Sequence, residues 1–369
     1  MRFRHRDHLV HLAYCTNVHP AEDLAGVIAQ LDRYAVPVRE RLGAERLGLG
    51  LWLAAPAAAE VRARPGQLRA ELAARGLEVV TLNGFPYAGF QQPVVKGAVY
   101  RPDWAEPERP AYTVDLAWAL AGLLPEDVMH GSISTLPLCW RSRWSSGWAD
   151  TARAGLEKLR RELEAVESAT GRTVRIGFEP EPGCVIETVD QAVALLKDLD
   201  PRYFGVCLDT CHLAVMHEEP REALDKLTEA GLPVVKVQAS AALEARDPAR
   251  ARQVLERFVE PRFLHQTRAG AHGADDLDEA LAVLPDDLPW RVHFHIPLHA
   301  DPPPPLAGTR PVLRQTLAEL FAGDGVHHIE VETYTWDVLP GRQDDLAGGI
   351  AAELAWTRDT LTELGLEEA

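Results

Sequence analysis

Val174-Arg-Ile-Gly-Phe-Glu179-Pro-Glu181-Pro-Gly183 is an apolar run that ends abruptly in carboxylates, prolines and a glycine. Phe204-Gly-Val-Cys-Leu-Asp209-Thr-Cys-His212 ends in the same manner, and the amphipathic stretch Val189–Leu199 lies between them. A short buried strand, a helix and a second short buried strand make a βαβ unit, from which parallel sheets are built.

The alternation continues in both directions. Strands are expected at His8–Cys15, Leu47–Leu53, Glu78–Leu82, Ser132–Leu138, Val174–Glu179, Phe204–Asp209, Val234–Gln238 and Ile329–Thr333. Helical periodicity fills Ala21–Leu42, Pro65–Arg75, Ala149–Ser168, Val189–Leu199, Pro220–Ala230, Pro311–Phe321 and Asp345–Leu364. Eight strands, each followed by a helix, predict an α/β fold, a (β/α)8 TIM barrel, with residues 1–369 in one domain. Arg262–Thr267 and Arg291–Ile296 read as strands beyond that count. They fall in an enlarged loop after the seventh strand, about 241–308, which would carry its own small sheet. A second insertion after the third strand, about 83–109, is rich in proline and aromatic residues and would lie over the barrel mouth.

The chain has 369 residues, 38 basic against 55 acidic, for a net charge of −17. Such a surface repels phosphate backbones and anionic lipid, which argues against nucleic acid and membrane as partners. No apolar run approaches the roughly 20 residues that span a bilayer. The basic start, Met1-Arg-Phe-Arg-His-Arg-Asp7, lacks the apolar segment of a signal peptide. Five cysteines are odd in number and too sparse for a disulfide framework, so a reduced, cytoplasmic protein is expected.

In a barrel of this kind chemistry sits at the C-terminal strand ends. Strands five to eight end at Glu179, Asp209, Gln238 and Glu332. One acidic residue at a strand end is usually a helix cap or a solvated loop residue. Four polar ends in succession are harder to explain in that way, and three converging carboxylates repel unless a cation sits among them. Oxygen donors with little sulfur favour a divalent metal ion such as Mn, Zn, Co or Mg.

Gly205 to His212 resembles the sixth-strand motif of the xylose isomerase-like TIM barrels, the superfamily of endonuclease IV and of sugar isomerases and epimerases. Glu179 to Gly183 is similar to the fifth-strand motif, and Glu332-Thr333 to the eighth. The resemblance implies that Glu179, Asp209 and Glu332 bind a divalent metal, with His212 as a further ligand or a substrate contact. The seventh-strand position, usually His in that superfamily, is Gln238, whose amide oxygen ligates more weakly than imidazole. Six further segments together resemble the EboE family of metabolite-traffic proteins from ebo operons. They are Tyr14-Cys-Thr-Asn-Val-His-Pro20, Leu82-Asn-Gly-Phe-Pro-Tyr87, Gly131-Ser-Ile-Ser-Thr135, His265-Gln266, His293-Phe-His-Ile-Pro297 and Glu332-Thr-Tyr-Thr-Trp336. That likeness implies a small polyol, sugar or cyclitol-like metabolite.

Other polar residues are expected near the mouth. Asn17 and His19 follow the first strand, and Asn83 and Lys96 lie in the first insertion. Lys96 is the one evident cation there and would meet an anionic substrate group. His293 and His295 alternate on an expected strand and so share a face, which makes His295 a candidate metal ligand and His293 a substrate contact. His265 and Trp336 complete the substrate-binding candidates. Cys207 and Cys211 read as small buried residues.

The leading functional reading is an isomerase or epimerase, or a related lyase, working through an enediolate. The metal would polarise a carbonyl while a general base takes the adjacent proton. Glu181, His212 and Glu330 are the candidates for that base. A non-catalytic metabolite-binding or traffic protein using the same site is the alternative. A phosphoesterase of endonuclease IV type would want a multinuclear, histidine-rich cluster, whereas the early strand ends here offer Asn83 and Ser132 or Ser134.

Overall fold

A computed structural model describes residues 1–341 and 345–369. Eight parallel strands, labelled in chain order, form the barrel: β1 His8–Cys15, β2 Leu47–Trp52, β3 Leu77–Asn83, β4 His130–Thr135, β5 Thr173–Phe178, β6 Phe204–Asp209, β7 Val234–Ala239 and β8 His328–Val331. Each pairs with its neighbours in sequence order, and β8 pairs back onto β1 with Ile329 opposite Leu12. Closure leaves no barrel strand edge exposed. The expected (β/α)8 TIM barrel is therefore the observed fold.

The strands form where they do because they are covered on both faces. β2, Leu-Gly-Leu-Gly-Leu-Trp, is buried at all six positions, as is β6, and such strands read as near-continuous apolar runs. β4 stops at Thr135 rather than the expected Leu138. Pro137 has no N–H for the ladder, and Leu138 turns to a φ of 70°. The helical stretch after β1 is not one α-helix. A wider turn at Leu31–Ala35 joins Leu24–Gln30 to Val36–Arg41, just ahead of Pro37, which cannot donate to the preceding turn. Helix Ser146–Thr170 begins at a Ser145 cap and ends at Gly171, whose φ is 70°, and buries Leu156, Leu159, Leu163 and Val166 against the barrel.

An N-terminal strand, Arg2–His5, turns back on β1 and pairs with Glu367–Glu368, placing fully buried Phe3 beside β1. Between β7 and helix Arg310–Ala322 lies a second sheet of five short strands, Leu243–Ala245, Thr267–Ala269, His272–Ala274, Trp290–Val292 and Ala307–Gly308. The strands expected at Arg262–Thr267 and Arg291–Ile296 are thus shorter and displaced. The Arg262 carbonyl instead accepts the N–H groups of Val95 and Lys96, each at 2.7 Å, which ties the two insertions together. His293–Ile296 is irregular, with the His293 N–H going to the Gln266 carbonyl at 2.8 Å and the Ile296 N–H to that of Ala241 at 2.9 Å. Among the described residues no helix is long and apolar enough to cross a membrane.

Inside the barrel, Lys236 of β7 donates to Glu330 of β8, and both are fully buried. Burial opposes the lysine charge, but the adjoining Glu330 carboxylate outweighs it and holds the ammonium protonated, with its pKa raised. Gly50 of β2 makes the room: a Cβ there would stand 1.6 Å from Glu330 Oε1. Breaking such a buried pair on one side costs about 3–5 kcal/mol, whereas replacing both partners by apolar groups is often close to neutral. Lys236→Met is accordingly expected to lose about that much stability in urea denaturation, and Lys236→Met with Glu330→Leu to recover most of it. Equal losses for the single and double variants would contradict the pairing.

Candidate functional site

The C-terminal strand ends gather one cluster. Glu179 follows β5, Asp209 ends β6, Gln238 lies in β7 and Glu332 follows β8. All four are buried, and ligand atoms of the three carboxylates lie within 4.8 Å of one another. Burial first, and then the neighbouring carboxylates, push the Glu179 and Glu332 pKa values well above the ordinary range.

Each member is oriented by its own partners. Asp209 Oδ1 accepts from the His212 N–H at 2.9 Å and from Ser240 Oγ at 2.8 Å, because the aspartate also caps helix Thr210–Val215. Glu332 Oε1 accepts from Asn17 Nδ2 at 2.6 Å and Asn83 Nδ2 at 3.0 Å, and its Oε2 accepts from Gln238 Nε2 at 2.8 Å. His295 Nδ1 donates to the Glu332 carbonyl at 2.8 Å, which leaves Nε2 as the lone-pair nitrogen. Burial lowers the His295 pKa to about 4, so the ring is neutral at pH 7.

These bonds leave Glu179 Oε2, Asp209 Oδ2, Gln238 Oε1 and His295 Nε2 buried without a partner. All four are lone-pair donors to a cation once the Glu179 carboxyl is ionised. Buried groups of this kind are rarely left unmatched. The set of carboxylate oxygens, one amide oxygen and one imidazole nitrogen fits a divalent ion such as Mn, Zn, Co or Mg.

Beside this cluster sits a second, made of Glu181, His212 and His293. His212 Nδ1 donates to the Pro180 carbonyl at 2.8 Å, and His293 Nδ1 to Gln266 Oε1 at 2.7 Å. The Gln266 amide is fixed in turn, its Nε2 donating to Tyr100 Oη and to the Pro182 carbonyl, each at 2.8 Å. Both Nδ1 atoms being donors, the two Nε2 atoms face each other at 3.0 Å as acceptors, with Glu181 Oε2 3.1 Å from that of His212. The close Glu181–His212 contact calls for a proton between them, and His293 Nε2 also meets the Tyr334 hydroxyl at 3.4 Å. Burial raises the Glu181 pKa to about 7, against the opposing His212 contact and the Tyr100 hydroxyl, which donates to Oε1 at 2.9 Å.

Both insertions cover the mouth. Phe85, Phe90, Val95, Val99 and Tyr100 come from the first, Phe263 and Leu264 from the second, and Tyr334 from the loop after β8. The space between them, open to solvent on one side and counted with the solvent at its mouth, is about 500 Å³. Beyond the backbone bonds to Arg262, the insertions are tied by Lys96 to Asp276 and by Arg262 to Gln91 Oε1 at 3.2 Å.

Several residues expected at the mouth are elsewhere. Lys96 touches the pocket, but its ammonium is paired with Asp276, so it is not the free cation that the sequence suggested. Glu330 lies one layer deeper than Glu332 on the same face and is engaged by Lys236. Two positions along a strand move the side chain about 7 Å down the barrel. His19 stacks on Tyr34 at 4.2 Å and hydrogen-bonds Tyr14, and is not among the pocket-lining residues. His265 lies behind His293, with Nδ1 against its carbonyl and Nε2 on Glu260, both at 2.9 Å. Trp336 donates to Glu353 at 3.2 Å, beneath the site. His293 and His295 do meet at the pocket, though from an irregular segment rather than a strand. Asn17 and Asn83 are present as Glu332 partners. Ser240 and Tyr334 were missed, although each lies only two residues past Gln238 or Glu332.

A family model described as xylose isomerase-like TIM barrel matches residues 42–263. No curated protein sequence matches the chain. Among solved structures, a xylose isomerase-like TIM barrel protein from Mycobacterium smegmatis in complex with magnesium is similar, with a TM-score of 0.56 and 14% identity over 96% of this chain and 97% of that one. A D-tagatose 3-epimerase-like protein aligns with a TM-score of 0.52 and 13% identity over 96% and 100%. An Anabaena variabilis protein described as a putative sugar phosphate isomerase/epimerase aligns with a TM-score of 0.52 and 16% identity over 96% and 99%. At these identities the likeness speaks to the fold.

Calorimetric titration with Mn²⁺ or Zn²⁺ is expected to show one equivalent bound. Protons should be released on binding, since the raised Glu179 and Glu332 carboxyls must ionise, and affinity should therefore rise with pH. Asp209→Asn should abolish binding and His295→Ala weaken it, each removing one ligand atom. Full stoichiometry in Asp209→Asn would remove the ligand assignment.

Proposed function

We propose, on the premise that this chain belongs to the xylose isomerase-like TIM barrel family, that it is a divalent-metal-dependent isomerase or epimerase. Its substrate would be a small sugar, polyol or cyclitol-like metabolite, and its reaction would pass through an enediolate. One observation carries the reading: four unpartnered lone-pair atoms converge beside the proton-sharing pair of Glu181 and His212. Glu179, Asp209, Gln238, Glu332 and His295 would hold a divalent ion, which would supply Lewis acidity toward a substrate carbonyl.

The remaining steps belong to side chains. Glu332 is oriented by Asn17, Asn83 and Gln238, and cannot swing away from the centre without breaking all three bonds. Glu181, with a pKa of about 7, is suited to take a proton from the carbon next to the carbonyl at Oε2. His212 Nε2, 3.1 Å away, relays it, and the His293 contact gives the proton a second acceptor. The roof excludes water while the carbanion equivalent persists. Returning that proton to the neighbouring carbon gives isomerisation, whereas epimerisation needs a second proton donor on the opposite face of the substrate. Loss of a β-hydroxyl instead would give a lyase.

The D-tagatose 3-epimerase-like neighbour is in keeping with sugar chemistry. The resemblance of its segments to the EboE family is what supports a place in an ebo-type metabolite pathway. A binding or traffic protein would need the oxygen cage but has no use for a pair with a shared proton, which is why catalysis is favoured. Phosphoester hydrolysis is disfavoured by Asn83 at the β3 end and by the pairing of Lys96 with Asp276.

With Mn²⁺ added, the protein is expected to exchange the α-hydrogen of a neutral hydroxyketone into D2O, followed by proton NMR. Glu181→Gln should lower kcat/KM by about 10²–10⁴-fold while still binding one metal equivalent. Undiminished exchange in that variant would remove Glu181 from the role of base.

A further inference from the structure

The pocket is divided. Its polar groups are gathered on the barrel floor, whereas the facing wall is built from Phe85, Phe90, Val95, Phe263 and Leu264. The few polar atoms that reach the roof are already committed. Lys96 is paired with Asp276, and Tyr100 donates to Glu181 and accepts from Gln266. The Tyr334 hydroxyl lies 3.4 Å from His293 Nε2. Two apolar clusters make this wall, one around Phe90, Phe263 and Tyr334 and one around Phe85 and Tyr100, and both are separate from the main core.

We propose that, within the hydroxylated metabolites named above, the substrate is not a free sugar but an uncharged α-hydroxycarbonyl compound bearing an aryl-sized apolar group, which lies against this wall while its oxygens face the floor. The assignment rests on the α-hydroxycarbonyl chemistry proposed above. A free hexose held by two oxygens would press its remaining hydroxyls against carbon, and unpaired buried hydroxyls disfavour binding. A phosphate would enter a site with Glu179, Glu181 and Glu332 in its walls, where the one lining ammonium is already neutralised. Phe90 lies 5.2 Å from Phe263 and 5.5 Å from Tyr334, ring centre to ring centre, so the wall offers rigid aromatic faces and edges rather than flexible polar groups.

The test compares hydroxyacetone with 2-hydroxyacetophenone, which share one α-hydroxyketone head and differ by a methyl against a phenyl group. D-Fructose and dihydroxyacetone phosphate complete the set, each titrated calorimetrically into protein carrying Mn²⁺. 2-Hydroxyacetophenone is expected to bind at least about tenfold more tightly than hydroxyacetone, from the added apolar area. It should also bind more tightly than fructose or the phosphate. In Phe263→Ala the ratio of the two ketone affinities should fall toward one. Tightest binding of fructose, meaning that the rings stack on a sugar face, overturns the proposal. So does tightest binding of the phosphate, equal affinity for the two ketones, or binding of neither. The α-hydrogen exchange assay separates this from the function proposed above. The expected preference without exchange of either ketone leaves the pocket assignment standing and removes the enzymatic reading. Exchange of both with equal kcat/KM does the reverse.

Discussion

The site is governed by one constraint, the placing of three carboxylates within 4.8 Å in a buried barrel end. Without a counter-charge that arrangement drives protons onto Glu179 and Glu332, and the structure shows what is arranged around it instead. Asn17, Asn83, Gln238 and Ser240 donate to the carboxylates, and beside them Asp209 Oδ2 and Gln238 Oε1 are left without a partner. Even His295 follows this pattern, because giving its Nδ1 proton to the Glu332 carbonyl frees Nε2. The hydrogen bonds thus do not satisfy the cluster but aim it.

The same strands meet the opposite problem one layer down. There Glu330 is matched by Lys236 directly, and Gly50 gives up its side chain to make the space. Glu330 and Glu332, two residues apart on β8, therefore have opposite fates. One is neutralised within the protein, and the other stands at the mouth among acids.

That contrast also marks where the sequence was legible. Buried parallel strands announce themselves as short apolar runs, so all eight were placed close to their true bounds, and their ends put Glu179, Asp209, Gln238 and Glu332 on one rim. Depth was not legible. Nothing in the local pattern separates Glu330 from Glu332, and only the position of Lys236 across the barrel decides it. The insertions were the least readable part, since their segments hydrogen-bond across about 165 residues of sequence rather than to their neighbours, as Lys96 Nζ does with the Glu260 carbonyl. His293 and His295 reached the pocket without the strand that the sequence implied. Lys96 read as a free charge because Asp276, its partner, lies 180 residues away.

Stitching the two insertions together has a kinetic consequence. The two amide bonds to the Arg262 carbonyl, the Lys96–Asp276 pair and the Arg262–Gln91 contact span the mouth side by side. They couple the two insertions, so a ligand that displaces one displaces both. Any widening of the mouth for ligand entry or exit therefore involves both insertions together, the kind of motion that sets turnover in many enzymes.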